Sequence, residues 1–126
     1  MKIANDGLVY VCDRINDRVQ VFQKDGTFVK EWRYLTDTKS SGSAWDLYLW
    51  ADREQSFFLM VDGTNEEMRL VRRSDGEIID TIGSGASFFF GVHNIAIDSK
   101  GNVYTTEVFE GKRLQKFKVV SGAPVR

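Results

Sequence analysis

His93 and Asn94 stand directly ahead of the apolar run Ile95-Ala96-Ile97. Trp45 and Asp46 stand in the same relation to Leu47-Tyr48-Leu49, 48 residues earlier. His93 is the single histidine of the chain. A neutral imidazole is a common zinc ligand, which makes His93 the candidate metal ligand, with Asp46 nearby. A catalytic zinc takes about three protein donors, however, and a lone histidine otherwise serves as a hydrogen-bonded core or rim residue. Arg14 and Glu107 belong to polar loops expected to open on the same end as His93. The candidate ligand-binding set is therefore Trp45, Asp46, His93, Asn94, Arg14 and Glu107. No residue receives a catalytic assignment. No nucleophile triad, phosphate-cradling glycine loop or Cys–His zinc motif is present; Gly83-Ser84-Gly85 is too short for a phosphate loop.

The elements that must hold these residues are short strands in a repeat. Asp25-Gly26 recurs as Asp75-Gly76, and Gly7-Leu8-Val9-Tyr10 recurs as Gly101-Asn102-Val103-Tyr104. Arg18-Val19-Gln20-Val21-Phe22 recurs as Arg113-Leu114-Gln115-Lys116-Phe117. The implied period of about 47 to 50 residues is that of four-stranded propeller blades. Apolar residues alternate, as in Val9, Val11, Val19 and Val21, and Gly, Asp and Asn punctuate every six to ten residues or so. Strands are predicted near 8–12, 18–23 and 27–32, then 44–50, 57–61, 68–73 and 77–82, then 93–98, 102–106 and 113–119. Lys24–Thr27, Ser74–Glu77 and Ser99–Asn102 read as hairpin turns in which glycine supplies the positive φ. No helical period is found.

The fold class is all-β, with four-stranded antiparallel blades over units of roughly 1–33, 43–83 and 91–120. The first unit reads as lacking its inner strand and the third as ending at its third strand. Both features suggest the C-terminal half, about three blades, of a larger ring. The alternative is a half-ring that dimerises. Asp13, Asn16 and Arg18 recur in kind from unit to unit, so they read as the joint that closes each blade through side-chain-to-backbone bonds. Glu66-Glu67 reads as solvated loop charge, and Phe88-Phe89-Phe90 as packing between blades.

Composition bounds the function. The 126 residues carry a net charge of -1. Without a basic patch, no nucleic-acid partner is expected. No apolar run reaches the roughly 18 residues of a membrane helix, so no membrane partner is expected either. Cys12, the one cysteine, cannot form an internal disulfide and reads as a small buried side chain.

Tyr10-Val11-Cys12-Asp13, Asn16, Arg18-Val19-Gln20-Val21-Phe22 and Asp25-Gly26 together resemble the NHL repeat, with Asp17 at its histidine position. The third unit resembles it through His93–Asp98, Gly101–Tyr104 and Arg113–Phe117. The second does so less closely, with Glu67 and Met68 in the Arg-Val positions. The resemblance implies a six-bladed propeller. The third unit is most similar to bacterial relatives of the peptidyl-hydroxyglycine amidating lyase, which implies an axial zinc (and calcium) in a full-length parent. His93 matches one zinc-ligand position; Asn94 replaces the usual following carboxylate, and Trp45 occupies the equivalent histidine position. The expected function is a binding scaffold presenting its loops to a protein, peptide or small molecule. The alternative is a metal-dependent lyase to which this chain contributes His93. The resemblance further implies an exported, periplasmic or extracellular, parent. Self-association through open blade faces is the remaining expectation.

Overall fold

The structure, a computed structural model, describes residues 1–83 and 89–118. Eleven strands form three antiparallel sheets among the described residues. The first sheet holds β1 (Lys2–Ile3), β2 (Val9–Asp13), β3 (Arg18–Phe22) and β4 (Phe28–Arg33) in that order. The second holds β5 (Asp46–Leu49), β6 (Phe57–Asp62), β7 (Glu67–Arg72) and β8 (Ile78–Ile82). The third holds β9 (Val92–Ile97), β10 (Val103–Glu107) and β11 (Leu114–Phe117). Each sheet is a meander whose successive strands pair, and β1, β5 and β9 lie side by side, as inner strands of consecutive propeller blades do.

The predicted strands match these elements within a few residues, with one correction. The first sheet does have an inner strand: Lys2 and Ile3 pair with Tyr10 and Val9. Two residues are too few to show alternation, which is why periodicity misses them. A single 3₁₀ turn, Arg14–Asn16, links β2 to β3. The three predicted turn glycines all have positive φ, +91° at Gly26, +79° at Gly76 and +80° at Gly101.

The sheets stack face to face, and β6 shows why. Its first five residues, Phe57-Phe58-Leu59-Met60-Val61, are all apolar because both faces are covered. Phe58 and Met60 pack against the first sheet, beside Tyr10, Val19, Val21 and Trp32. Phe57, Leu59 and Val61 pack against the third, with Ile95, Ile97 and Val103. Strands with only one covered face alternate instead, as Val19 and Val21 do within β3. Phe89 is fully buried in the second interface, as the oily triplet led us to expect; Phe88 lies outside the described residues. No helix among the described residues is long and apolar enough to cross a membrane.

Candidate functional site

With the strands of each sheet lettered a to d from the inside outward, antiparallel pairing puts the start of strand a and the b–c loop at the same end, as the pairing of Asp46 with Val61 and of Asp62 with Glu67 shows in the second sheet. At that end, side chains from three sheets meet. Trp45 precedes β5. Its indole Nε1 donates to the Gly42 carbonyl at 2.8 Å, which fixes the ring. The Arg14 guanidinium lies over that ring, 4.5 Å from its centroid. His93 meets it edge-on, at 5.4 Å and an interplanar angle of 89°. Gly63 leaves room for the indole: a Cβ there would lie 2.8 Å from the ring and 2.6 Å from the Val92 carbonyl oxygen.

Asp46 joins the array from below. It is buried, and its Oδ2 accepts the Ile95 backbone N–H at 3.2 Å and Asn94 Nδ2 at 3.4 Å. Asn94 Oδ1 in turn lies 2.8 Å from His93 Nδ1. Arg14, Trp45, Asp46, His93 and Asn94 thus form one connected set at this end, Arg14 from the turn after β2 and the others from the starts of β5 and β9. Among the described residues no three His, Cys, Asp or Glu side chains converge as a metal site. The residues present therefore do not fit a resident zinc: His93 is the one imidazole, and the Asp46 carboxylate is occupied by Ile95 and Asn94.

Glu107 is placed differently. Its side chain is buried and accepts from Arg113 Nε at 2.7 Å and Gln115 Nε2 at 2.5 Å. It is the third-sheet counterpart of Asp13 and Asp62, each at the end of its b strand. Asp13 accepts Asn16 Nδ2 at 2.9 and 3.0 Å and Arg18 Nε at 2.8 Å. Arg18 and Asn16 hold the Asp13 carboxyl below the usual carboxylate range despite the opposing effect of desolvation. Asp62 accepts the Thr64 and Asn65 backbone N–H groups, Asn65 Nδ2 and Arg69 Nη1. These are the recurring joints, but the bonds at Asp13, Asn16 and Arg18 run from side chain to side chain rather than to the backbone as expected, whereas Asp62 does accept backbone N–H groups.

The joint of the second sheet differs in a way that the sequence pattern obscures. Register pairs Asp13 with Arg18 but Asp62 with Glu67. The guanidinium comes instead from Arg69, two residues on, where the first sheet has Gln20. Arg69 is only 2% exposed and bonds both Asp62 and Glu67. Glu67 is therefore part of a buried ion network rather than a solvated loop charge. Cys12, on the first sheet, is half-buried; burial, with a smaller contribution from Asp46, pushes its thiol up to about 12.

A cleft of about 500 Å³ lies at the opposite end, between the first and second sheets. Leu8, Tyr10 and Phe57 line it with Arg73. Arg73 is committed to structure there: it bonds Tyr10 Oη at 2.6 Å, the Glu54 carbonyl at 3.0 Å and the Asp6 carboxylate.

Similarity to solved structures extends over nearly the whole chain. A catalytically inactive His-to-Ala variant of virginiamycin B lyase from Staphylococcus aureus, with quinupristin, superposes with a TM-score of 0.64 at 11% identity. The match covers 95% of this chain and 40% of that one. A protein of unknown function from Bacteroides caccae gives 0.68 at 12% identity, covering 93% of this chain and 44% of that one. The WD40 β-propeller domain of Doa1 gives 0.57 at 13% identity, covering 94% and 39%. No protein-family model matches the sequence, and no curated protein matches it significantly. The fold is that of consecutive β-propeller blades, and the chain spans less than half the length of these structures.

Proposed function

We propose that this chain is a binding scaffold of the NHL-repeat type, contributing about three blades to a six-bladed ring. Its ligand is a protein, peptide or small molecule held at the end where β5 and β9 begin. The observation that carries this reading is the array of Arg14, Trp45, Asp46, His93 and Asn94, drawn from three successive sheets. Loops held by a rigid scaffold are where binding residues usually lie. The Asp13, Asp62 and Glu107 joints serve to shape the loops, and Glu107 acts on the ligand only through them.

The test is selection of displayed peptides against the intact chain. Trp45→Ala and His93→Ala should each weaken the selected peptides about tenfold or more, as expected for anchors at the centre of a site. Lys30→Ala, in the opposite cleft, should leave them unchanged. Peptides sensitive only to the Lys30 change would move the binding site to that cleft and end this reading.

A second reading has one observation in its favour, the oriented His93. It is a lyase of the amidating-lyase type, to whose site this chain would contribute His93. Two of the structures of similar fold are described as lyases acting on virginiamycin B and streptogramin B. This chain would supply His93 as a single ligand, with the other donors coming from outside the described residues.

A further inference from the structure

We propose that Asn94 is a positioning residue. It relays the orientation of the buried Asp46 carboxylate to His93, holds the imidazole proton on Nδ1, and leaves Nε2 as an acceptor for an O–H or N–H group of the ligand. The proposal rests on the ligand end described above and names the chemistry of the ligand group that meets it.

The argument follows the bonds outward from Asp46. A carboxylate only accepts, and the two ends of a carboxamide differ, its nitrogen donating and its oxygen accepting. Asp46 Oδ2 faces Asn94 at 3.4 Å, so that end of Asn94 is the nitrogen. The same Asp46 oxygen is held by the Ile95 N–H of the next sheet, which keeps it from turning away. The other end of the amide, Oδ1, then lies 2.8 Å from His93 Nδ1. An acceptor on that side requires the proton to be on Nδ1. A neutral imidazole carries one N–H, so Nε2 keeps its lone pair.

Packing holds the ring in this orientation. The Trp45 indole meets His93 edge-on, and a ring flip would place a carbon against Asn94 Oδ1 and forfeit the bond. Among the described residues the hydrogen bond of the ring runs through Nδ1 alone. The ligand group that meets Nε2 is thus a hydroxyl, amide or amine donor; a bare carboxylate is refused at that atom. Arg14, already stacked on Trp45, supplies the cationic side of the same site.

The chain has one histidine, so a long-range ¹H–¹⁵N correlation spectrum contains one imidazole pattern and needs no assignment. At alkaline pH, where imidazole is neutral, an unconstrained histidine favours the proton on Nε2. The parent should instead show Nδ1 protonated and Nε2 bare. Asn94→Ala should return the proton to Nε2. Asn94 is exposed, so this variant should keep the parent circular dichroism spectrum. A parent with its proton on Nε2, or an Asn94→Ala variant that keeps it on Nδ1, would overturn the proposal. These outcomes are independent of peptide selection: the expected tautomer without any selected ligand would retire the scaffold reading and leave the positioning role standing.

Discussion

Gly42 shows how much of the site depends on the absence of a side chain. Its φ is +74°, a conformation that glycine adopts without steric cost. A Cβ there would lie deep inside the contact distance of the Arg14 carbonyl. Its own carbonyl accepts both Trp45 Nε1 and Thr64 Oγ1, at 2.8 and 2.7 Å. Gly42→Ala should therefore destabilise the fold by about 3 kcal/mol, combining left-handed strain with overpacking, each about 1–3 kcal/mol. Urea denaturation measures the loss, and the Trp45 emission should shift with it. Trp45, Asp46, His93 and Asn94 were legible as a set because each pair precedes a recurring apolar run. Gly42 was not. It sits in a serine-rich connection, and the carbonyl that excludes its side chain comes from another sheet.

At the level of the strand and its turn, two carboxylates have opposite surroundings and call for different tests. Asp62 is fully buried with Arg69. Removing Asp62 leaves the buried Arg69 with Glu67 alone and strips the Thr64 and Asn65 N–H groups of their acceptor, a cost toward the lower end of the roughly 3–5 kcal/mol of a broken buried pair. Asp62→Ala should reduce stability on that scale in urea melts. The exposed pair of Arg72 with Asp75 should contribute far less, since solvent screens it. Asp98 lies in an exposed a–b turn. Asn102 Nδ2 donates to it at 2.8 Å, the Lys100 and Asn102 backbone N–H groups add two more bonds, and its carboxyl is held at about 2. An unfolded aspartate titrates near 3.9. Its contribution is therefore complete above about pH 4 and is lost as pH falls through about 2. Melting temperatures of the parent and Asp98→Ala should differ by a constant amount above pH 5 or so and converge in strong acid.

Elements were also where sequence reasoning went furthest and stopped most sharply. Alternation and turn glycines located β2 through β11 because each has enough residues to show a period. They missed β1, whose two residues show none. They also missed the Arg69–Asp62 pair. The repeat places an arginine where Glu67 stands, and only the pairing of Asp62 with Glu67 reveals that the charge has moved two residues along β7.

Across the whole molecule, the two outer sheets each have one face covered by the second sheet. On the far face of the first sheet, Ile3, Val9, Phe22 and Phe28 are register partners in one row. Phe22 and Phe28 meet edge-on at 5.8 Å, and Ile3 and Phe28 remain 58% and 53% exposed. Such a row across four strands favours association. Sedimentation should show self-association that rises with concentration, and Phe28→Lys should reduce it. A parent that stays monomeric across the range would contradict this expectation.

The second sheet, apolar on both faces and flanked on both sides, occupies a different position in time as well as in space. An amide of β6 or β7 can reach solvent only when both neighbouring sheets have let go. Amide hydrogen exchange should therefore grade inward, with the edges of the outer sheets opening locally and the β6–β7 ladder exchanging only through global unfolding. The array at the loop end straddles that gradient. Asp46 and Trp45 are anchored to the slow centre, while His93 and Arg14 ride on sheets that can loosen first, so the ring and guanidinium can adjust to a ligand against a backing that does not move.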